Sequence, residues 1–255
     1  MWLRRRRSEP ERWPSELLLV RHGESAGNVA RDAAEDGGLT VIDIAERDMD
    51  VDLSARGERQ AEALGRWLGG RPNPPAVVLA SPYVRARRTA ELAMTTSGLE
   101  VPLVLDERFR EREFGALDRL TRAGINERYP EEAELRARVG KFYHRPPGGE
   151  SWCDVGLRVR SALDSITRSR SGERVMVVAH QVVIHMFRYV LEQLTEQEVL
   201  ALSRSRDLAN CSVTTFVADR SCPDGMRLVG VDEVGGLVAD DAPVTHEPDV
   251  AVAPR

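Results

Sequence analysis

The chain has 255 residues, 42% of them hydrophobic and 30% charged, which provides for a sizeable core in one large α/β domain or two small ones. The formal net charge of −5 argues against a general nucleic-acid binder, and no apolar run approaches the ~20 residues that cross a bilayer. Cys153, Cys211 and Cys222 are odd in number and form no CxxC pair, so a disulfide framework or a zinc site is not expected and a reducing cytoplasm fits.

Residues 1–15 carry four consecutive arginines at positions 4–7, followed by Glu9 and Glu11, and read as a disordered, solvated basic leader with no secretory h-region behind it. "LLLV" at 17–20 is a short buried strand that runs into Arg21, His22 and Gly23, with a helix from about Ser25. Residues 32–50 fit no element and read as a long, partly acidic insertion. Ser54 is an N-cap for a helix carrying Ala61, Leu64 and Leu68, and Gly69-Gly70 is its stop. "AVVLA" at 76–80 is a second strand, after which Ser81 reads as an N-cap with Pro82 at the first helical position. A third strand is expected at 101–105, then a polar helical stretch over 121–142 broken at Pro130. Ser151 caps a helix to about Ser169, "RVMVVAH" at 174–180 holds the fourth strand, and helices follow through about Ser203. "SVTTFVA" and "MRLVGV" are the closing strands. This alternation predicts a three-layer α/β/α sandwich with a mostly parallel central sheet. One domain over 16–231 is expected, and residues 232–255, rich in Asp, Glu, Val, Ala and Pro, read as a mobile acidic tail.

Ligands of open α/β sheets bind beyond the carboxyl ends of the strands. Arg21 and His22 stand at such an end, and "VMVVAH" ends in His180 in the same way. Arg85 falls one turn into a helix that starts at another strand end. Gly23 lets the backbone approach closely, and Asn28 offers a neutral donor in the first turn of the following helix. Two imidazoles and two guanidinium groups around one spot suit a phosphoryl group. They do not suit a cation, so no metal is expected. The five-residue spacing of His180 and His185 places them on different helix faces, and His185 reads as structural. Tyr143, His144 and Arg145 fit a substrate mouth or a packed turn equally, and His246 reads as tail.

"RHGES" with Asn28, "SPYVRARRTA", "EREFG" and "VVAH" fall in order across residues 17–217. Together they resemble the signature of the histidine phosphatase superfamily, which includes cofactor-dependent phosphoglycerate mutases and many phosphatases. The resemblance implies that His22 is a nucleophile forming a phosphohistidine. Arg21, Arg85 and His180 would make the phosphate pocket, assisted by Asn28, while Ser25 would donate to phosphate or cap its helix. Glu111 would protonate the leaving oxygen and then activate water, with Arg110 and Arg112 turned elsewhere. Two departures stand out: Gln181 follows His180 where the family usually has glycine, and Val139-Gly140-Lys141 replaces the adjacent arginine pair of the mutases. "KFYHRPPGGESWCDVGLRV" is closer to the broad-specificity phosphatase members. The implied activity is hydrolysis of phosphate monoesters of small metabolites in the cytoplasm, without metal or organic cofactor, nucleic acid or membrane. The alternatives are mutase-type phosphoryl transfer and a non-catalytic phospho-ligand binding protein. Oligomeric state stays open, with room for a homodimer.

Overall fold

The computed structural model describes residues 13–205, 207–222 and 225–246. The chain runs β1 (Glu16–Arg21), α1 (Ala26–Asp36), α2 (Ala55–Gly69), β2 (Val77–Ala80), α3 (Val84–Ser97), β3 (Leu103–Leu105), α4 (Arg122–Arg128) and α5 (Pro130–Val139). It continues through α6 (Trp152–Ser169), β4 (Arg174–Ala179), α7 (Gln181–Leu191), α8 (Glu196–Ser205), β5 (Val213–Ala218), β6 (Met226–Glu233) and α9 (Gly235–Ala239). The six strands form one sheet in the order β3-β2-β4-β1-β5-β6. The β3, β2, β4 and β1 strands are parallel, while β5 and β6 join antiparallel at one edge.

Why the central strands read as unbroken apolar runs is now visible. Leu17 and Leu19 of β1, Val77 and Leu79 of β2, and Val175 and Val177 of β4 face one cluster with Trp152, Phe187 and the inner sides of α6 and α7. Leu18 and Val20, Val78 and Ala80, and Met176 and Val178 face the opposite cluster with Leu64 and Leu68 of α2 and Ala86, Ala90 and Ala93 of α3. Parallel strands covered on both faces have no polar side to alternate with.

Four expectations are revised. Ser81 does not cap α3, whose N-cap is Tyr83 and which starts at Val84; Ser81 is wholly buried and bonded instead to His180. Gly23 makes its close approach to protein: a Cβ there would lie 2.7 Å from the carbonyl oxygen of Gly57, so the β1–α1 turn rests directly on the first turn of α2. The 32–50 stretch is partly helical, since α1 runs to Asp36 and a 3-10 turn spans Asp48–Asp50. The expected acidic tail is packed as far as residue 246. Leu237 of α9 is buried against α2, the Gln60 amide donates to Pro243 O (2.9 Å) and Thr245 Oγ1 (2.7 Å), and His246 Nδ1 meets Asp207 O at 3.1 Å. Acidic composition hid these sparse anchors. The arginines of the basic leader and residues 247–255 lie outside the described residues, while Trp13 packs on the core and Ser15 N–H donates to Glu173 O.

Candidate active site

Residue 21 ends β1 and pairs in register with Ala179, the last residue of β4. The next residue of each strand is a histidine, so backbone pairing alone brings His22 and His180 side by side, with ring centroids 5.0 Å apart. That is close to the ~4.8 Å spacing of neighbouring strands. His22 N–H donates to Ala179 O at 3.0 Å, which ties the two strand ends together.

His22 Nδ1 lies 2.7 Å from Gly23 O. A carbonyl only accepts, so the ring proton sits on Nδ1 and the Nε2 lone pair is left available. Burial, then the charges of Arg85 and Arg21, hold His22 well below the usual histidine range. His180 is held down by burial first, then by Arg85 and His22. Both rings are neutral at neutral pH.

The arginines approach from two directions. Arg21 is buried and donates from Nη1 to Leu208 O. Arg85, in the first turn of α3, is buried with its guanidinium carbon 5.1 Å over the Tyr83 ring. Its Nη1 donates to Asp48 O (2.6 Å) and lies 3.0 Å from Asp48 Oδ1. Glu111 brings its Oε2 to 3.6 Å from His180 Nδ1. Its backbone is anchored twice. Phe109 is buried against Phe187, and Arg158 donates to Arg108 O (2.7 Å) and Glu111 O (3.2 Å). Arg110 and Arg112 turn to Glu150, donating to its carboxylate and its carbonyl respectively.

His22, Glu111 and His180 each offer one donor atom, all within 4.8 Å of one another. Such a triplet has the size of a metal site, but the adjoining guanidinium groups make the spot electropositive and favour an anion. Arg21, His22, Ser25, Asn28, Arg85 and Glu111 line a cavity of about 150 Å³, and the rest of its lining mixes apolar side chains such as Ile42, Ile44 and Leu117 with the charged Arg31, Asp118 and Arg119. His180 lies behind this lining with no exposure, and Glu111 covers its Nδ1. Glu111 Oε2 thus faces His180 Nδ1, and Asp48 engages part of the Arg85 guanidinium.

Against this geometry, similarity to known proteins is informative. The model of the histidine phosphatase superfamily, branch 1, matches residues 17–229. The chain belongs to this superfamily. A 2,3-bisphosphoglycerate-dependent phosphoglycerate mutase of Methylobacterium radiotolerans is 33% identical over 186 residues, 72% of this chain and 82% of that one. The solved structure of a mycobacterial glucosyl-3-phosphoglycerate phosphatase with VO3 is 27% identical, with TM-score 0.66 over 84% of this chain and 96% of that chain. A putative alpha-ribazole-5'-P phosphatase of Escherichia coli, 20% identical with TM-score 0.70 over 87% and 97%, shares the fold.

Within this histidine phosphatase, His22, His180, Arg21, Arg85, Glu111, Asn28 and Ser25 do converge on one place. Ser25 and Asn28 form a reciprocal capping box: Ser25 Oγ accepts Asn28 N–H (3.1 Å) and Asn28 Oδ1 accepts Ser25 N–H (2.9 Å). Of Tyr143, His144 and Arg145, none lines this cavity: His144 is buried and bonded to Glu132, while Tyr143 and Arg145 are exposed and bonded to Glu196 and Asp154. His185 stacks on Trp152 with centroids 5.9 Å apart. Lys141, in the place of the mutases' arginine pair, sits 4.8 Å over the Trp152 ring.

Sequence reasoning missed the residues that brace the site. Asn210 Nδ2 donates to His22 O (3.0 Å), and Thr245 Oγ1 and backbone O both bond Asn210. Thr89 Oγ1 accepts Gly23 N–H (3.0 Å) and donates to Arg85 O (2.6 Å), tying the first turns of α3 to the β1–α1 turn. Gln60 Oε1 accepts Glu24 N–H at 2.8 Å. Only Thr89 carried a signal, being one helical turn from Arg85 on the same face.

Proposed function

We propose that the protein hydrolyses phosphate monoesters of small metabolites through a phosphohistidine at His22. The observation that carries this reading is the pair of neutral imidazoles 5.0 Å apart, flanked by Arg21 and Arg85. In the first step the Nε2 lone pair of His22 attacks phosphorus. The ester P–O bond breaks, and the leaving oxygen takes a proton from the Glu111 carboxyl group. Nδ1 keeps its proton on Gly23 O, which steadies the positive charge on the phosphorylated ring. Arg21, Arg85, His180 and the Asn28 NH₂ hold the non-bridging oxygens, with the Ser25 hydroxyl at the helix start. In the second step the Glu111 carboxylate takes a proton from water. The water oxygen attacks phosphorus, the P–N bond breaks, and its electron pair returns to Nε2.

The similarity to a mutase keeps phosphoryl transfer to a second substrate hydroxyl as the competing reading. Against it, Lys141 lies on Trp152 with Ser203 and does not line the cavity. Three cysteines without a disulfide fit a cytoplasmic setting. The test follows phosphate release from nitrophenyl phosphate and a panel of phosphorylated metabolites, alongside interconversion of 3- and 2-phosphoglycerate. Release of inorganic phosphate, unaffected by EDTA, is expected. Interconversion outpacing release would establish the mutase reading, phosphate binding without turnover the binding-protein reading, and EDTA sensitivity a metal.

A further inference from the structure

Ser81 follows the last residue of β2 and has no exposed surface. Its N–H donates to Val178 O (3.0 Å), which fixes it beside β4 just below His180. Its Oγ accepts the Tyr83 N–H (3.2 Å) and lies 2.9 Å from His180 Nε2. A hydroxyl has one proton to give. Backbone amides only donate, so the Tyr83 contact uses an Oγ lone pair and leaves that proton unspent. The acceptor within reach is His180 Nε2. Were Nε2 protonated instead, two donors would point at Oγ and the hydroxyl proton would be buried without a partner.

We propose that Ser81 is a positioning residue that donates its hydroxyl proton to His180 Nε2 and so holds the ring's own proton on Nδ1. The consequence for catalysis rests on the phosphohistidine reading above. His180 Nδ1 is buried, without a hydrogen-bond partner, and faces Glu111 Oε2 at 3.6 Å on the side shared with His22. Protonated there, a neutral His180 is a donor aimed at a phosphoryl oxygen. With the proton on Nε2 it would present a lone pair to that oxygen and repel it. Tyr83 packs edge-on against the ring, centroids 5.3 Å apart at 71°, and limits its rotation. His22 and His180 thereby have matching tautomers set by different partners, a carbonyl for one and a hydroxyl for the other. For His22 the outcome is a free Nε2 nucleophile; for His180 it is an Nδ1 donor.

Long-range proton–nitrogen correlation spectra of the histidine rings at pH 8 read this directly and need no turnover. Wild-type His180 is expected to show the Nδ1–H pattern. Ser81→Ala removes the donor, and the ring is expected to shift toward the Nε2–H form that an unassisted imidazole prefers. Ser81→Thr keeps the hydroxyl and should keep the wild-type pattern. In kinetics, Ser81→Ala should lower kcat by about 10–100-fold, the scale seen for partners that orient site histidines, with KM changed far less, and Ser81→Thr should restore most of it. An Nε2–H pattern in the wild type, or an unchanged Nδ1–H pattern in Ser81→Ala, overturns the proposal. If no phosphohistidine forms on His22 while the tautomer shift occurs, the functional reading fails and the positioning assignment stands.

Discussion

The strand-end floor and the mouth of the site are built in opposite ways. The floor, with Arg21, His22, Ser81 and His180, is buried and held by strand pairing and backbone bonds, such as His22 N–H to Ala179 O. The mouth, residues 39–51 and 111–125, is a pair of loop excursions joined by short contacts such as the Val41–Leu120 bridge and Arg119 Nη2 to Glu46 O. The floor supplies reactivity, because register fixes where the nucleophile and donors lie. The mouth supplies Glu111 and Asp48, which rest against His180 and Arg85 respectively. Substitutions of the floor, and of Glu111 where the mouth carries the proton, should therefore change kcat, and other mouth substitutions should change KM and substrate preference.

The largest expected effect is on the floor. His22→Ala should lower kcat by roughly 10⁶-fold, the scale of a lost nucleophile, with an unchanged thermal midpoint. Retained turnover would place the nucleophile elsewhere. Glu111→Gln should cost about 10²–10⁴-fold for alkyl phosphates and much less for nitrophenyl phosphate, whose leaving group needs no proton. Equal losses for both substrates would remove Glu111 from the acid role.

The floor's neutral histidines also carry a pH signature. An unfolded histidine takes up a proton near pH 6.5, but His22 and His180 resist it in the folded state. The unfolded chain then binds more protons, so stability should be intact above pH ~6.5 and fall as pH drops through that value toward the depressed folded range. Thermal melts of wild type and His22→Gln between pH 8 and 5 test this, and the variant should lose less on acidification. Asp48→Asn tests the mouth: removing the carboxylate charge beside Arg85, while the Asp48 backbone carbonyl still accepts its Nη1, should lower KM about two- to fivefold with kcat nearly unchanged. A higher KM would mean that Asp48 helps to bind substrate. Smallest of all, Thr245→Ala should lower the melting temperature by about 2–4 °C and trim kcat slightly, because Thr245 braces the site indirectly, through Asn210 to His22 O and through Gln60 to Glu24 N–H.

How much of this was legible in the sequence divides along the same line. The floor was readable because β1 and β4 each end an apolar run in histidine, and parallel pairing brings such ends together. Arg85 and Glu111 were legible as parts of a motif set, whereas their partner Asp48 sits in a stretch with no periodicity. Ser81 was misread because Ser-Pro before a helical run is a strong local capping signal. A long-range bond to a histidine 99 positions away overrode it. Gly23 was assigned to the ligand, although the backbone it admits belongs to α2, because a close approach does not name its partner. The C-terminal segment was misjudged because composition averages over anchors as sparse as Leu237 and Thr245.

The central claim is covalent, and it can be trapped. Rapid acid-free quenching of enzyme mixed with a phosphorus-32-labelled monoester, followed by peptide mapping, reads the attachment site. The account predicts an alkali-stable, acid-labile label on the peptide containing His22, absent in His22→Ala and longer-lived in Glu111→Gln. Steady hydrolysis with no protein-bound label, or a label on His180, would contradict it.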